Sequence, residues 1–321
     1  MKKWLFLYIL CIPLTTIAQV DYSVLSVKEE SGIDFTQITT ENDYMCMPIV
    51  KRMGRKINWL SNRIIDISVD GSKLAYLSAR NKTTNIFIKS IEKQGSSVQR
   101  TNRQRVLDFQ YSPDGNYICF AEKSGRYNQI YQTSASTGYV CRQITSNNQD
   151  YSPIYSNDMQ HIFFSRQEGK GISVWSYNIA NNFLSSYTQG MNPYPLAGDM
   201  MLCTRVNEQG NGEIWRINLS TGVEECIVSD PNRSFSTPSL SPDGQWILMV
   251  GSNILMNGSH PYPNTDIFVC HLDGSQLMQL TYHAADDLSP VWGRDGQYIY
   301  FVSQRGSAKK TANVWRMTFI H

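Results

Sequence analysis

The sequence predicts an all-β fold: a six-bladed β-propeller with four antiparallel strands in each blade. Three observations predict it. A turn motif recurs six times, an aliphatic–aromatic pair follows every copy, and a segment ahead of the first copy supplies a strand that the last copy lacks. Self-similarity at a period of about 40–50 residues is the sequence form of a propeller blade.

The turn copies are Val69-Asp70-Gly71, Ser112-Pro113-Asp114-Gly115, Ser156-Asn157-Asp158-Met159, Leu196-Ala197-Gly198-Asp199, Ser241-Pro242-Asp243-Gly244 and Gly293-Arg294-Asp295-Gly296. Aligned on residues 71, 115, 159, 199, 244 and 296, they step by 44, 44, 40, 45 and 52. The second landmark is Ile86-Phe87, Ile130-Tyr131, Val174-Trp175, Ile214-Trp215, Ile267-Phe268 and Val314-Trp315. It follows the anchor by 15 residues in the first four copies, by 23 in the fifth and by 18 in the sixth. The apolar runs are short, rich in β-branched and aromatic residues, and bounded by Asp-Gly and Ser-Pro steps, so they read as strands. Asp-Gly favours a tight turn because glycine accepts positive φ without a steric penalty.

An outermost strand shows at Arg142-Gln143-Ile144-Thr145, just ahead of the third anchor. The same distance before the first anchor lands on Arg55-Lys56-Ile57-Asn58, while the chain stops soon after the third strand of the sixth copy. The expectation is that residues 55–58 pair with the last blade and close the ring, which removes an open edge. Residues 55–321 then form the propeller. Residues 19–54 form a leader with some strand character at residues 35–38.

Residues 1–18 read as a signal peptide: Lys2 and Lys3, an apolar run over residues 4–14, and Thr16-Ile17-Ala18 before a cut ahead of Gln19. The run is too short to span a bilayer, and Cys11 lacks the small preceding residues of a lipidation site. The predicted location is therefore periplasmic or secreted, without stable membrane insertion. Of the 29 basic side chains, Lys2 and Lys3 leave with the signal peptide, so the 27 acidic ones are matched one for one. A neutral chain argues against a nucleic-acid partner. Cys46, Cys119, Cys141, Cys203, Cys226 and Cys270 form no CxxC pair.

Ser-Pro-Asp-Gly turns, the starts Asp150-Tyr151-Ser152-Pro153 and Asp287-Leu288-Ser289-Pro290, and Arg-Gln-Ile-Thr at a blade's end resemble the TolB-type (WD40-like, PD40) propeller repeat. The resemblance covers all six copies. It implies a periplasmic propeller that binds envelope proteins. TolB proteins place a smaller α/β domain before the ring, where this chain has a short leader.

The chemistry of catalysis is not apparent. The Gly-x-Ser-x-Gly elbow of propeller-bearing hydrolases is missing. His161, His260, His271, His283 and His321 show no ligand-like spacing. No cofactor is expected, although the central pore of such a ring offers a place for a cation. The recurrent Asp70, Asp114, Asp158, Asp243 and Asp295 read as turn formers.

Propeller geometry sorts the connections by face. The a–b turns carry the aspartates. The opposite face, made of b–c and d–a connections, collects Arg63, Arg105, Lys123, Arg126, Arg166, Arg233 and Arg305, with Lys309 and Lys310 in the sixth b–c loop. Asp150 and Asp287 stand beside them at the starts of inner strands. Tyr151, Tyr194 and His283 align near the pore, and Tyr262 lies in the fifth copy's insertion over residues 251–266. These residues are the candidate binding set. The resulting expectation is a monomeric, non-catalytic binding or scaffold protein whose basic face takes a protein or other envelope component. The alternative is a propeller that binds or cleaves an anionic glycan.

Overall fold

A computed structural model describes residues 30, 33–48, 51–53, 56–58, 63–93, 95–138, 140–257, 260–307 and 311–319. The signal-peptide reading of residues 1–18, Lys309 and Lys310 lie outside the described residues. Among the described residues, no helix is long and apolar enough to cross a membrane.

Six four-stranded antiparallel sheets form the ring. Blade 1 comprises Ile65–Ile67, Lys73–Arg80, Thr83–Ser90 and Val98–Gln99, as strands a to d. Blade 2 is Val106–Tyr111, Tyr117–Ser124, Tyr127–Ser134 and Val140–Gln143. Blade 3 is Asp150–Tyr155, His161–Glu168, Gly171–Asn178 and Leu184–Gln189, and blade 4 is Met191–Pro195, Met200–Val206, Gly212–Asn218 and Glu224–Val228. Blade 5 contains Phe235–Leu240, Trp246–Asn257, His260–His271 and Met278–Gln279. Blade 6 contributes Asp287–Trp292, Tyr298–Ser303 and Asn313–Thr318. Each a strand packs against the a strand of the next blade, so the a strands form the inner wall.

The predicted landmarks take the roles their chemistry suits. Ile86, Ile130, Val174, Ile214, Ile267 and Val314 are all fully buried on their c strands. One blade cannot cover both of its faces, and separate apolar clusters fill the junctions between blades. Phe120, Phe164, Phe235 and Phe301 are the bulky centres of four of them. The turn aspartates fold their carboxylates back into their own turns. Asp114 accepts from Ser112 Oγ at 2.5 Å and from Asn116 N at 3.0 Å, and Asp243 repeats this with Ser241 and Gln245.

Ring closure differs from the sequence expectation. Lys56–Asn58 pairs with Lys51–Met53 in a two-stranded hairpin. The fourth strand of blade 6 is instead Phe35–Gln37, in register Phe35↔Met317, Thr36↔Arg316 and Gln37↔Trp315. Residues 35–37 of the leader thus belong to the ring. Its Ile33 and Phe35 pack on the blade 5–6 cluster, whereas residues 55–58 carry one apolar side chain, Ile57. Further latches follow. Val314 N donates to Thr39 Oγ1 at 2.8 Å, Met45 bridges both Ser78 of blade 1 and Ala312 of blade 6, and the buried Asp43 accepts from Tyr76 Oη at 2.7 Å and Lys89 Nζ at 2.9 Å.

The Phe35 ring meets Phe301 edge-on at 6.2 Å and lies 4.3 Å from the Arg305 guanidinium. Phe35→Ala is expected to lower stability by about 2 kcal/mol through lost packing. Thermal unfolding checks it: an unchanged Tm would show that blade 6 does not depend on this strand.

Candidate functional site: an axial funnel

The neck of the ring is built from a local rule. Blades 3 to 6 carry Ser152-Pro153, Asn192-Pro193, Thr237-Pro238 and Ser289-Pro290 on their a strands. The residue before each proline is left-handed, with φ of 51°, 51°, 54° and 53°. The ladder to strand b slips at each of these steps. A bulge suits proline, which has no N–H to give the ladder. Main-chain amides at this level are then free to bond to the neighbouring blade. Ser152 N donates to Asp108 Oδ2 at 3.0 Å, Asn192 N to Ser165 Oγ at 2.9 Å, Thr237 N to Thr204 Oγ1 at 3.2 Å, and Ile64 N to Ser289 Oγ at 2.9 Å.

Two residues further along lies a column of unlike side chains: Asp66, Gln110, Ile154, Tyr194, Ser239 and Val291. Five of these six line a cavity of about 340 Å³ that opens among the a–b turns. Its mouth is formed by Asn157, Ala197, Pro242, Gly244 and Gly293, and its wall includes Leu196, Trp292 and Arg294.

Arg63 spans the neck. Its Nη2 donates to Pro238 O in blade 5 at 2.8 Å, its Nη1 reaches Gln110 Oε1 in blade 2 at 3.4 Å, and its guanidinium lies 5.5 Å from the Tyr194 ring. Tyr194 Oη donates to Leu240 O at 3.4 Å, and burial raises its pKa. Asp66 accepts from Tyr111 N at 2.9 Å and Ile67 N at 2.8 Å. Asp108, fully buried one level below, has its carboxyl pushed up to about 7 by desolvation, against the amide of Ser152 that favours the anion. Its Oδ1, Asn192 Nδ2 and Ser239 Oγ are buried without a hydrogen-bond partner among the described residues. No group of three His, Cys, Asp or Glu side chains converges among the described residues. The neck already holds a cation of the protein's own, Arg63.

The other predicted binding residues fall into three sets. Asp150 and Arg166 pair with each other, fully or almost fully buried, through Nε–Oδ1 at 2.8 Å and Nη2–Oδ2 at 3.0 Å. Asp287 and Arg305 also pair, through a single Nη2–Oδ2 contact at 2.5 Å, and Glu30 of the leader joins Arg305 at 3.1 Å. These four are withdrawn from the b–c face they were expected to line. His283 is also buried: its Nδ1 accepts from Ala285 N at 3.0 Å and its carbonyl from Asn264 Nδ2 at 2.7 Å. Tyr151 is half-buried, with its hydroxyl 3.3 Å from Gln149 Oε1. Tyr262 lies in a strand opposite Leu255. Arg105, Lys123 and Arg126 remain exposed at the top of blade 2, joined through Lys123 N donating to Arg105 O at 2.9 Å.

A recurring structural use explains the thinned charge. In five blades an arginine stacks on the aromatic member of the c-strand pair: Arg80 on Phe87 at 4.2 Å, Arg103 on Tyr131 at 4.7 Å, Arg166 on Trp175 at 4.5 Å, Arg205 on Trp215 at 4.7 Å and Arg233 on Phe268 at 5.5 Å. These guanidinium groups lie over the rings at the blade junctions. Charge sorting by connection places Arg166, Arg233 and Arg305 on an open face, whereas Arg166 and Arg305 are buried and Arg233 stacks on Phe268. The funnel, on the opposite face, was missed apart from Arg63 and Tyr194. Its signal was available as the column five residues before each anchor, where side-chain chemistry varies while its neighbours stay apolar.

The molecule is thus a six-bladed β-propeller with an axial funnel on its turn face. It is TolB-like. It is 27% identical over 191 residues to the Tol-Pal system protein TolB of Francisella tularensis subsp. tularensis (strain WY96-3418), covering 55% of this chain and 43% of that one. The chain therefore spans less than half the length of the curated relatives it matches. The structure of a putative TolB from Agrobacterium tumefaciens superposes with a TM-score of 0.58 at 16% identity, covering 83% of this chain and 94% of that one. TolB from Acinetobacter baumannii gives 0.60 at 15% identity, covering 77% and 64%. An oligogalacturonate lyase from Vibrio parahaemolyticus gives 0.59 at 11% identity, covering 91% and 95%, which shows the shared fold alone. No family model matches the chain.

Proposed function

We propose that this protein is a non-catalytic binding protein of the cell envelope, and that its axial funnel seats a segment of a protein partner. The observation that carries the reading is the funnel itself. A concave site at the end of a rigid ring, with apolar walls and a few buried polar groups, has the make-up of a recognition pocket. Arg63, Asp66, Tyr194 and Ser239 supply charge and hydrogen bonds, and Leu196, Val291 and Trp292 supply apolar contact. Among the described residues, the lining contains no histidine or cysteine. Likeness to a Tol-Pal system protein supports a protein partner, and the reading of residues 1–18 as a signal peptide supports export to the periplasm or beyond.

Asn157 and Ala197 are exposed at the mouth, so tryptophan there narrows the entrance without disturbing the core. Immobilised protein is exposed to envelope extract and bound proteins are identified and quantified. Asn157→Trp/Ala197→Trp is expected to reduce capture of the partner at least about tenfold, the loss expected when roughly 1.4 kcal/mol of contact is blocked. Lys123→Glu on the opposite face is expected to leave it unchanged. Capture that ignores the mouth substitutions would overturn the funnel as the site. Retention of a polyuronide instead of a protein would move the assignment to an anionic glycan.

A further inference from the structure

The fifth copy's insertion is a continuation of the blade's own ladder. Strands b and c of blade 5, Trp246–Asn257 and His260–His271, stay paired from Trp246↔His271 out to Asn257↔His260. Strand a pairs with strand b only from Leu240↔Ile247 to Phe235↔Gly251. From Ser252 outward the hairpin projects about 20 Å beyond the inner strand, at about 3.3 Å per residue.

Its two edges differ. Ser252 N donates to Ser234 O, so the Ser252 amide faces the axis. Main-chain direction alternates along a strand, so the N–H and C=O groups of Ile254 and Met256 face the axis as well. Among the described strands none pairs with this edge beyond Ser252. On the other edge, Thr265 N points to the rim, where it bonds to Asp286 Oδ1 at 3.0 Å. The nitrogens of Pro263 and Pro261 share that direction, opposite Ile254 and Met256. Proline has no N–H to give, so the rim edge is blocked and the axial edge is open. Residues 251–265 also contain no charged side chain, the usual guard of an exposed edge.

The surroundings state what would pair there. Arg233, next to Ser234 at the foot of the open edge, stacks on Phe268, and no acid pairs with it among the described ion pairs. Across the ring from blade 5, on the same face, Arg105, Lys123 and Arg126 stand exposed on blade 2. An acidic segment is attracted to these cations.

We infer that the axial edge of strand b in blade 5 is a docking site for an extended, acidic segment of a partner protein. The segment adds as a strand in line with strand a, through main-chain hydrogen bonds to Ile254 and Met256. This site lies on the face opposite the funnel and is independent of it.

The test uses a short synthetic peptide of alternating valine and threonine with aspartate at both ends, read by fluorescence anisotropy on the full mature chain. Three results are expected. The peptide binds; methylating its alternate main-chain nitrogens abolishes binding; and Ile254→Pro/Met256→Pro weakens it at least about tenfold. The structure already holds proline at the facing positions 263 and 261, so the double variant fits the ladder, and an unchanged Tm confirms its fold. Replacing the aspartates by lysine also weakens binding. Absence of binding, or equal binding by the methylated peptide or by the double proline variant, overturns the inference. Asn157→Trp/Ala197→Trp leaves peptide binding intact, which separates this site from the funnel.

Discussion

Arg166→Met is expected to destabilise the protein by about 3–5 kcal/mol. The Asp150 side chain is fully buried, and both of its oxygens accept from the Arg166 guanidinium. Removing the arginine leaves an ionised carboxylate in the protein interior with its principal partner gone. Asp150→Asn/Arg166→Met removes both charges at similar volume and is expected to recover most of that loss. Equilibrium urea unfolding of the single and double variants measures both. A single variant that unfolds like the wild type would show that solvent, not Arg166, compensates Asp150. The same pair looked like a binding feature in the sequence, so the prediction also separates structure from function: the double variant is expected to retain partner binding in full.

Asp108→Asn is expected to change the pH dependence of stability. Burial places the Asp108 carboxyl at about 7 in the folded protein, against 3.8 as its ordinary value. Between those two values the folded state holds the proton and the unfolded state has released it. The contribution of Asp108 to stability therefore falls as pH rises from about 4 to about 7, and levels off above. Asparagine does not titrate, yet its amide oxygen still accepts from Ser152 N. Relative to wild type, the variant is expected to gain on the order of a few kcal/mol at pH 8 and little near pH 4. Denaturant midpoints from pH 4 to pH 8 check it. A difference between the two proteins that stays constant with pH would show that Asp108 titrates in its ordinary range.

Much of the architecture was legible because each blade repeats the same local chemistry. Asp114 and Asp243 close turns through groups within two residues of themselves, and Ile130 and Val174 fill their junctions at the same offset from the anchor. Local rules of that kind recur and can be aligned. Closure was half legible. Strand character at residues 35–38 was visible, but the choice between it and residues 55–58 rested on contacts with Phe301, Met317 and Arg305, far along the chain. The binding set was the least legible part. An arginine in a b–c loop reads as exposed until its partner is known, and Asp150 and Asp287 supply that partner from another strand.

The sequence by itself determined the number of blades, the a–b turns, the buried c-strand aliphatics and the blade that carries the long insertion, because period, turn chemistry and hydrophobicity act over a few residues. Only the tertiary structure decided three further things. It chose Phe35–Gln37 as the closing strand, buried Arg166 and Arg305 against their aspartates, and gathered Arg63, Asp66, Tyr194 and Ser239 around one axis. The physical reason is common to all three. Each depends on which surfaces meet when the ring closes, and that juxtaposition sets burial and pairing for residues as far apart in the chain as Phe35 and Met317.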